Sequence, residues 1–142
     1  MYCVTPLGYP AEQIPEFEQK FRKALNADDR KPANELFFDR DFNTTLSDIS
    51  DSKIQSALEA VRWAPSATNR QPWRVVRDGN NFHFYEKHAK ELAAGHGGWD
   101  VQKIDMGIAL DHFMKIAGGS LNVKDPGIFT PDETEYIATV II

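Results

Sequence analysis

Three stretches of the chain repeat apolar residues at helical spacing and predict three helices. In residues 15–25, Phe17, Phe21, Ala24 and Leu25 share one face, charges occupy the other, and Pro15 suits a first turn. In residues 52–63, Ile54, Leu58 and Val61 line one stripe with Ala57 beside it. Ser50 or Ser52 is placed to cap that helix, and Asp51 suits its first turn. In residues 100–117, Val101, Ile104, Ile108 and Ile116, with Phe113 beside them, predict the inward face, and Gly118-Gly119 ends the helix.

Strand patterns fill much of the remainder. Residues 2–7 read as a short strand closed by Gly8-Tyr9-Pro10. Residues 73–77 and 81–85 flank Asp78-Gly79-Asn80, a strong hairpin signal. Phe82 and Phe84 alternate with His83 and Tyr85, as in a half-buried sheet. Residues 136–142 are almost continuously apolar, as expected of a central strand covered on both faces. Between these elements, Leu36-Phe37-Phe38 is a short apolar run, and residues 39–51 are polar and turn-rich, a linker or an extended crossover. Residues 87–98 are loose, and Asp125-Pro126-Gly127 makes a turn. The sum is a single α+β domain: an antiparallel sheet packed against two main helices, with an extended arm over residues 1–45 and a core over residues 46–142.

Composition narrows the function classes. A chain of 142 residues supports one domain with a modest core. Its formal charge of −5 argues against a nucleic-acid partner, which needs a basic patch, but leaves room for an anionic ligand held by local charge. Cys3 is the single cysteine, which excludes an intrachain disulfide and a cysteine-based metal site and suits a reducing compartment such as the cytoplasm. No apolar stretch approaches the roughly 18 residues of a membrane span. The histidines His83, His88, His96 and His112 show no i, i+3 or i, i+4 pairing, so no metal site is expected from them. No Walker-type motif and no Gly-x-Ser-x-Gly elbow occurs.

The stretch with the most candidate chemistry is Trp63-Ala64-Pro65-Ser66-Ala67-Thr68-Asn69-Arg70-Gln71-Pro72-Trp73. A helical pattern runs into it and a strand pattern runs out. Pro65 cannot continue the helix, and Pro72 biases Gln71 toward extended backbone, so the turn is pinned at both ends. Its hydroxyls and side-chain amides could hold the polar edge of a planar ligand. It would also serve as a plain helix-to-strand connector.

Ala-Pro-Ser-Ala-x-Asn-x-Gln-Pro-Trp over residues 64–73 resembles the signature of the nitroreductase-like flavoproteins, which are FMN-dependent, NAD(P)H-using oxidoreductases. Gly8-Tyr9-Pro10-Ala11-Glu12 with Arg30-Lys31-Pro32 resembles the tail of one nitroreductase half. Asp105-Met106-Gly107-Ile108-Ala109 resembles a helix start in the second half of the fused, pseudo-dimeric branch. The resemblance implies that Pro65, Ser66, Ala67 and Asn69 line FMN with Gln71 nearby, and that Arg30 and Lys31 reach its phosphate. NAD(P)H would be the reductant and a quinone-like or nitroaromatic compound the acceptor. The Arg-Arg-Ser-x-Arg helix and Gly-Leu-Gly segment usual in the family are absent. A half-module holding part of one flavin site is therefore expected, working as a homodimer or with a partner N-terminal half. The apolar faces of Phe17, Phe21, Phe37 and Phe38 suggest where such a partner would sit. The alternative is a non-catalytic assembly or binding module that kept the fold without a complete flavin site.

Overall fold

The computed structural model describes residues 8–9, 12–47, 49–89 and 100–142. The expected strand over residues 2–7, Cys3, His96 and most of the loose stretch after residue 89 lie outside them. The elements are α1 (Glu16–Ala24), α2 (Ala33–Leu36), β1 (Phe37–Asp39), α3 (Ser52–Trp63), β2 (Trp73–Asp78), β3 (Asn81–Lys87), α4 (Gln102–Ala117), β4 (Ser120–Asn122) and β5 (Thr134–Ile141). Five strands form one sheet in the order β1-β2-β3-β5-β4. β2–β3, β3–β5 and β4–β5 are antiparallel, but β1 runs parallel to β2. The sheet is therefore mixed rather than purely antiparallel. A parallel neighbour cannot be reached through a tight hairpin; here the chain crosses from β1 to β2 by way of α3.

One face of the sheet carries the main core. Trp73 and Val75 of β2, Phe82 and Phe84 of β3 and Val140 of β5 meet Leu58 and Val61 of α3 and Met106, Ala109 and Phe113 of α4. Phe113 stands against two strand aromatics, with ring centroids 4.8 Å from Phe82 and 5.5 Å from Phe84. The apolar run after Arg30-Lys31-Pro32 belongs to this core as well, with Leu36 and Phe37 buried and β1 paired through Phe37 and Phe38 to Val75 and Val76.

The structure corrects four local expectations. α3 is capped by Asp51, not by Ser50 or Ser52: its carboxylate accepts from the backbone N–H groups of Lys53 (2.8 Å) and Ile54 (3.4 Å). A carboxylate has the reach of a hydroxyl and adds a charge opposed to the helix dipole. The second correction concerns the outer face of the sheet, where His83 and Tyr85 are buried. The loop after β1 brings Phe42 edge-on to Tyr85 at 5.0 Å, and Tyr136 packs on the other side at 5.6 Å. His83 Nδ1 lies 2.7 Å from Thr139 Oγ1. Third, the inward face of α4 is built from Gln102, Asp105, Met106, Ala109, Phe113 and Ala117, while Ile104 is 60% exposed and Val101 and Ile108 are half-buried. The polar residues face in because they serve backbone groups there: the Gln102 amide oxygen accepts from the Ala89 N–H, and the Asp105 carboxylate from the Ala67 N–H. Fourth, Phe37 and Phe38 are used within the sheet, whereas Phe17 and Phe21 stack on each other and remain 80% and 55% exposed. No described helix is long and apolar enough to cross a membrane.

Gly119, between α4 and β4, has φ +99°, and a Cβ there would meet the Ile141 carbonyl oxygen at 2.5 Å. Gly119→Ala combines a disfavoured backbone region with a backbone overlap, and is expected to cost at least about 2 kcal/mol. Urea unfolding, compared with a change at open Gly107, measures this.

Candidate functional site

α3 ends where Pro65 forbids a further turn: Ala64 leaves the helix with ψ 142°, and Ser66 is fully extended. A single 3-10 turn over Ala67–Asn69 then reverses the chain into β2. Thr68, Asn69 and Gln71 have φ of 50°, 55° and 51°, so Gln71 is left-handed and not extended as Pro72 led the sequence to predict. Asparagine tolerates this left-handed region, but threonine and glutamine do so only when their surroundings impose it.

The surroundings are a dense set of hydrogen bonds. The Gln71 N–H donates to Ser66 Oγ at 2.9 Å. The Ala67 N–H donates to both carboxylate oxygens of Asp105 on α4, at 3.0 and 3.1 Å. The Gln71 side chain, only 3% exposed, accepts from the Lys31 N–H at 2.8 Å and donates to the Asp29 carbonyl at 3.3 Å. The Asn69 amide donates to the carbonyls of Asn26 and Asp29, and its oxygen accepts from Arg30 Nη1 at 3.3 Å. The turn and the loop between α1 and α2 are thus one hydrogen-bonded unit.

That unit gathers every residue the sequence singled out. Arg30, Lys31, Asn69 and Gln71 line a cavity of about 890 Å³. Pro65, Ser66, Asn69 and Arg30 also border an adjoining cavity of about 510 Å³ beside Trp63. Pro65, Ser66 and Ala67 face a shallower, apolar hollow of about 320 Å³ against Ile104 and Ile108. The structure does not, however, leave the turn's polar groups open: Ser66 Oγ, the Ala67 N–H and the Asn69 and Gln71 amides all have protein partners.

The charge around the largest cavity is opposite to that of the chain. Arg30, Lys31, Arg70, Arg74 and Lys87 line it against only Asp29 and Glu35. The Arg30 guanidinium lies 5.1 Å from the Trp63 ring, and its Nε is buried with no hydrogen-bond partner. Arg74 donates from Nη1 to the carbonyls of Trp73 (2.7 Å) and Gln71 (3.1 Å). Burial pulls its ionisation below the usual guanidinium range, partly offset by Glu35. Arg74 and Lys87 were not among the sequence candidates, yet a signal existed. Arg74 directly follows Gln71-Pro72-Trp73, and strand alternation turns it away from the face that Trp73 and Val75 bury.

Asp105 is the other residue missed as part of the site, although it heads one of the stretches that carried the resemblance. Burial pushes its carboxyl above the ordinary value of 3.8, against the pull of the Ala67 N–H and with a smaller push from Asp100. A raised folded-state value means that Asp105's contribution is full below the ordinary carboxylate range and is lost as pH rises through the raised value. Asp105→Ala should cost about 1–3 kcal/mol by orphaning a buried N–H. Asp105→Asn keeps an acceptor and removes the charge. Relative to wild type, its stability should therefore improve as pH rises from about 4 toward neutrality. Thermal unfolding of the three proteins across that range checks both the size and the sign.

Comparison with known proteins comes to the same place from another direction. No curated protein matches the chain. Residues 1–117 match the model of the family described as "Putative TM nitroreductase". That span holds the strained turn, the Arg30-Lys31 loop and the whole of α4, and with most of its length matched the chain belongs to this nitroreductase family.

Proposed function

We propose that the chain supplies part of the flavin site of an FMN-dependent NAD(P)H oxidoreductase. The observation that carries this reading is the strained Pro65-to-Pro72 turn bonded to the Arg30-Lys31 loop, which makes a basic cavity on an acidic protein. The donor set suits the phosphate end of FMN: clustered cations, and in Arg30 Nε a buried donor still lacking an acceptor. When bound, FMN supplies two-electron hydride chemistry between NAD(P)H and a quinone-like or nitroaromatic acceptor.

In this reading Arg30 and Lys31 bind the phosphate, and Arg74 adds positive potential from a poorly solvated position. Asn69 and Gln71 act chiefly as positioning residues, since their amides hold the cationic loop against the turn. Pro65, Ser66 and Ala67 present the rim of the turn, and Asp105 fixes that rim by holding the Ala67 N–H. Assembly belongs to the same proposal. Phe17 and Phe21 on α1, Ile104 on α4 and half-exposed Trp63 are the apolar surfaces that a second copy or an N-terminal half bearing the missing arginine helix would cover.

One observation favours the second reading, an assembly module without flavin: the turn's polar side chains are already satisfied within the protein. Lys31→Ala separates the two. The Lys31 backbone N–H holds Gln71, but its side chain makes only a loose 3.9 Å pair with Glu35. The substitution should leave the melting temperature within about 1 °C, as expected for a surface change worth less than about 0.5 kcal/mol. It should weaken FMN by roughly tenfold or more, the worth of one charge-assisted bond to a phosphate. Fluorescence titration of FMN with the whole chain, at low and high salt, reads this. Absence of saturable FMN binding would leave the module reading, and an affinity unmoved by Lys31→Ala and by salt would take Lys31 out of the phosphate site.

A further inference from the structure

The inward alternation of β3 does not stop at its aromatics. Phe82 and Phe84 are followed on the same face by Glu86, directly across from Trp73 and without solvent exposure. A carboxylate placed among apolar side chains costs several kcal/mol unless something compensates it. One oxygen, Oε2, has the Lys103 ammonium 3.5 Å away. The other, Oε1, is buried and makes no hydrogen bond. It points at His88, the next residue on that face, whose Nδ1 is 3.0 Å away but not in hydrogen-bond geometry. Asp100, just ahead of α4, brings Oδ2 to 3.9 Å from the same nitrogen. One donor atom from each of Glu86, His88 and Asp100 lies within 4.8 Å of the others.

The far side of the imidazole settles how the ring is used. His88 Nε2 lies 3.1 Å from Glu135 Oε2, which also takes the Lys103 ammonium at 2.8 Å. A proton on Nε2 is favoured by that carboxylate, which leaves the Nδ1 lone pair aimed at two more carboxylates. Three electron-rich atoms converge on one point, and a cation between them removes the repulsion. Among the described residues, Glu86, Asp100 and Glu135 face one ammonium, that of Lys103, which leaves two negative charges uncompensated when the imidazole is neutral.

We propose that Glu86, His88 and Asp100 bind one divalent transition cation of the zinc class, with Glu135 holding His88 from behind. Bonds of about 2.0–2.1 Å in a tetrahedral site place donor atoms roughly 3.3–3.4 Å apart. The observed 3.0 and 3.9 Å bracket that spacing. A histidine whose second nitrogen meets a carboxylate is the usual outer support of such a ligand. His88 and Asp100 are about one-third exposed, so the ion has a route in and a fourth position for water. The ion would tie the end of β3 to the start of α4 beside the basic cavity, which His88 and Lys87 also line. The proposal stands whether or not the cavity binds FMN.

The test is direct titration of the chelator-treated whole chain with Co2+, read by visible ligand-field absorption, and with Zn2+, read by calorimetry. One ion per chain is expected. His88→Ala should abolish the bands, Asp100→Ala should weaken Zn2+ at least tenfold, and Glu135→Gln should weaken it without changing stoichiometry. His112→Ala should bind as wild type does. Asp100 is a surface residue, so its variant decides if His88→Ala fails to fold. Lack of stoichiometric uptake by wild type, as when a proton alone bridges Glu86 and His88, would overturn the proposal. So would uptake that survives Asp100→Ala unchanged.

Discussion

The Gln71 side chain joins the two halves of the described structure. It is buried, its oxygen takes the Lys31 N–H, and its nitrogen reaches the Asp29 carbonyl and the Asn69 oxygen. Without it, the loop carrying Arg30 and Lys31 would be left with Asn69, the Arg62 bond to the Lys31 carbonyl and the stacking of Arg30 on Trp63. A buried amide satisfied at both ends fixes position more tightly than apolar packing, because leaving either end unpaired costs about 1–3 kcal/mol. That penalty helps hold Gln71 at φ 51°. The backbone strain and the amide pairing are therefore linked: the left-handed residue aims the side chain, and the side chain's partners keep the residue left-handed.

The regular elements were legible in the sequence because their signals are local. The span of α3, the hairpin at Asp78-Gly79-Asn80 and the stop at Gly118-Gly119 each depend on residues within a few positions. What the sequence hid depends on distant neighbours. Ile104 and Val101 looked like core residues, since periodicity marks an apolar stripe without saying what faces it. The real inward face of α4 uses Ala109, Ala117 and Met106, which read weakly on any hydropathy pattern. β4 is three exposed residues with no pattern, and exists because β5 offers it an edge.

The site was legible to a different degree. The motif drew attention to the right turn, and the Arg30-Lys31 pair to the right loop, but not to how they meet. Sequence reading assigned the hydroxyl and amides to a ligand. The structure gives them first to the protein, with Ser66 closing the turn, Asn69 and Gln71 gripping the loop and Asp105 taking the Ala67 N–H. Asp105 was visible only as part of a helix start, because the 38 residues separating it from Ala67 are invisible to any local pattern. The Glu86-x-His88 spacing was overlooked for a related reason. Helical histidine spacings were weighed, whereas a strand brings residues two apart onto one face.

These observations separate two kinds of polar residue on one small sheet. Around the turn, the Ser66 hydroxyl and the Asn69 and Gln71 amides are matched, and the cavity wall carries more cations than carboxylates. At the same end of the sheet, where Glu86 pairs across from Trp73, Glu86 and Asp100 place negative charge beside His88 at a point between β3 and α4. Asp100 belongs to this second group, and from just ahead of α4 it also adds a small upward push to the Asp105 carboxyl. The two groups thus meet at one end of the sheet, cations on the cavity wall and carboxylates beside it, with His88 belonging to both.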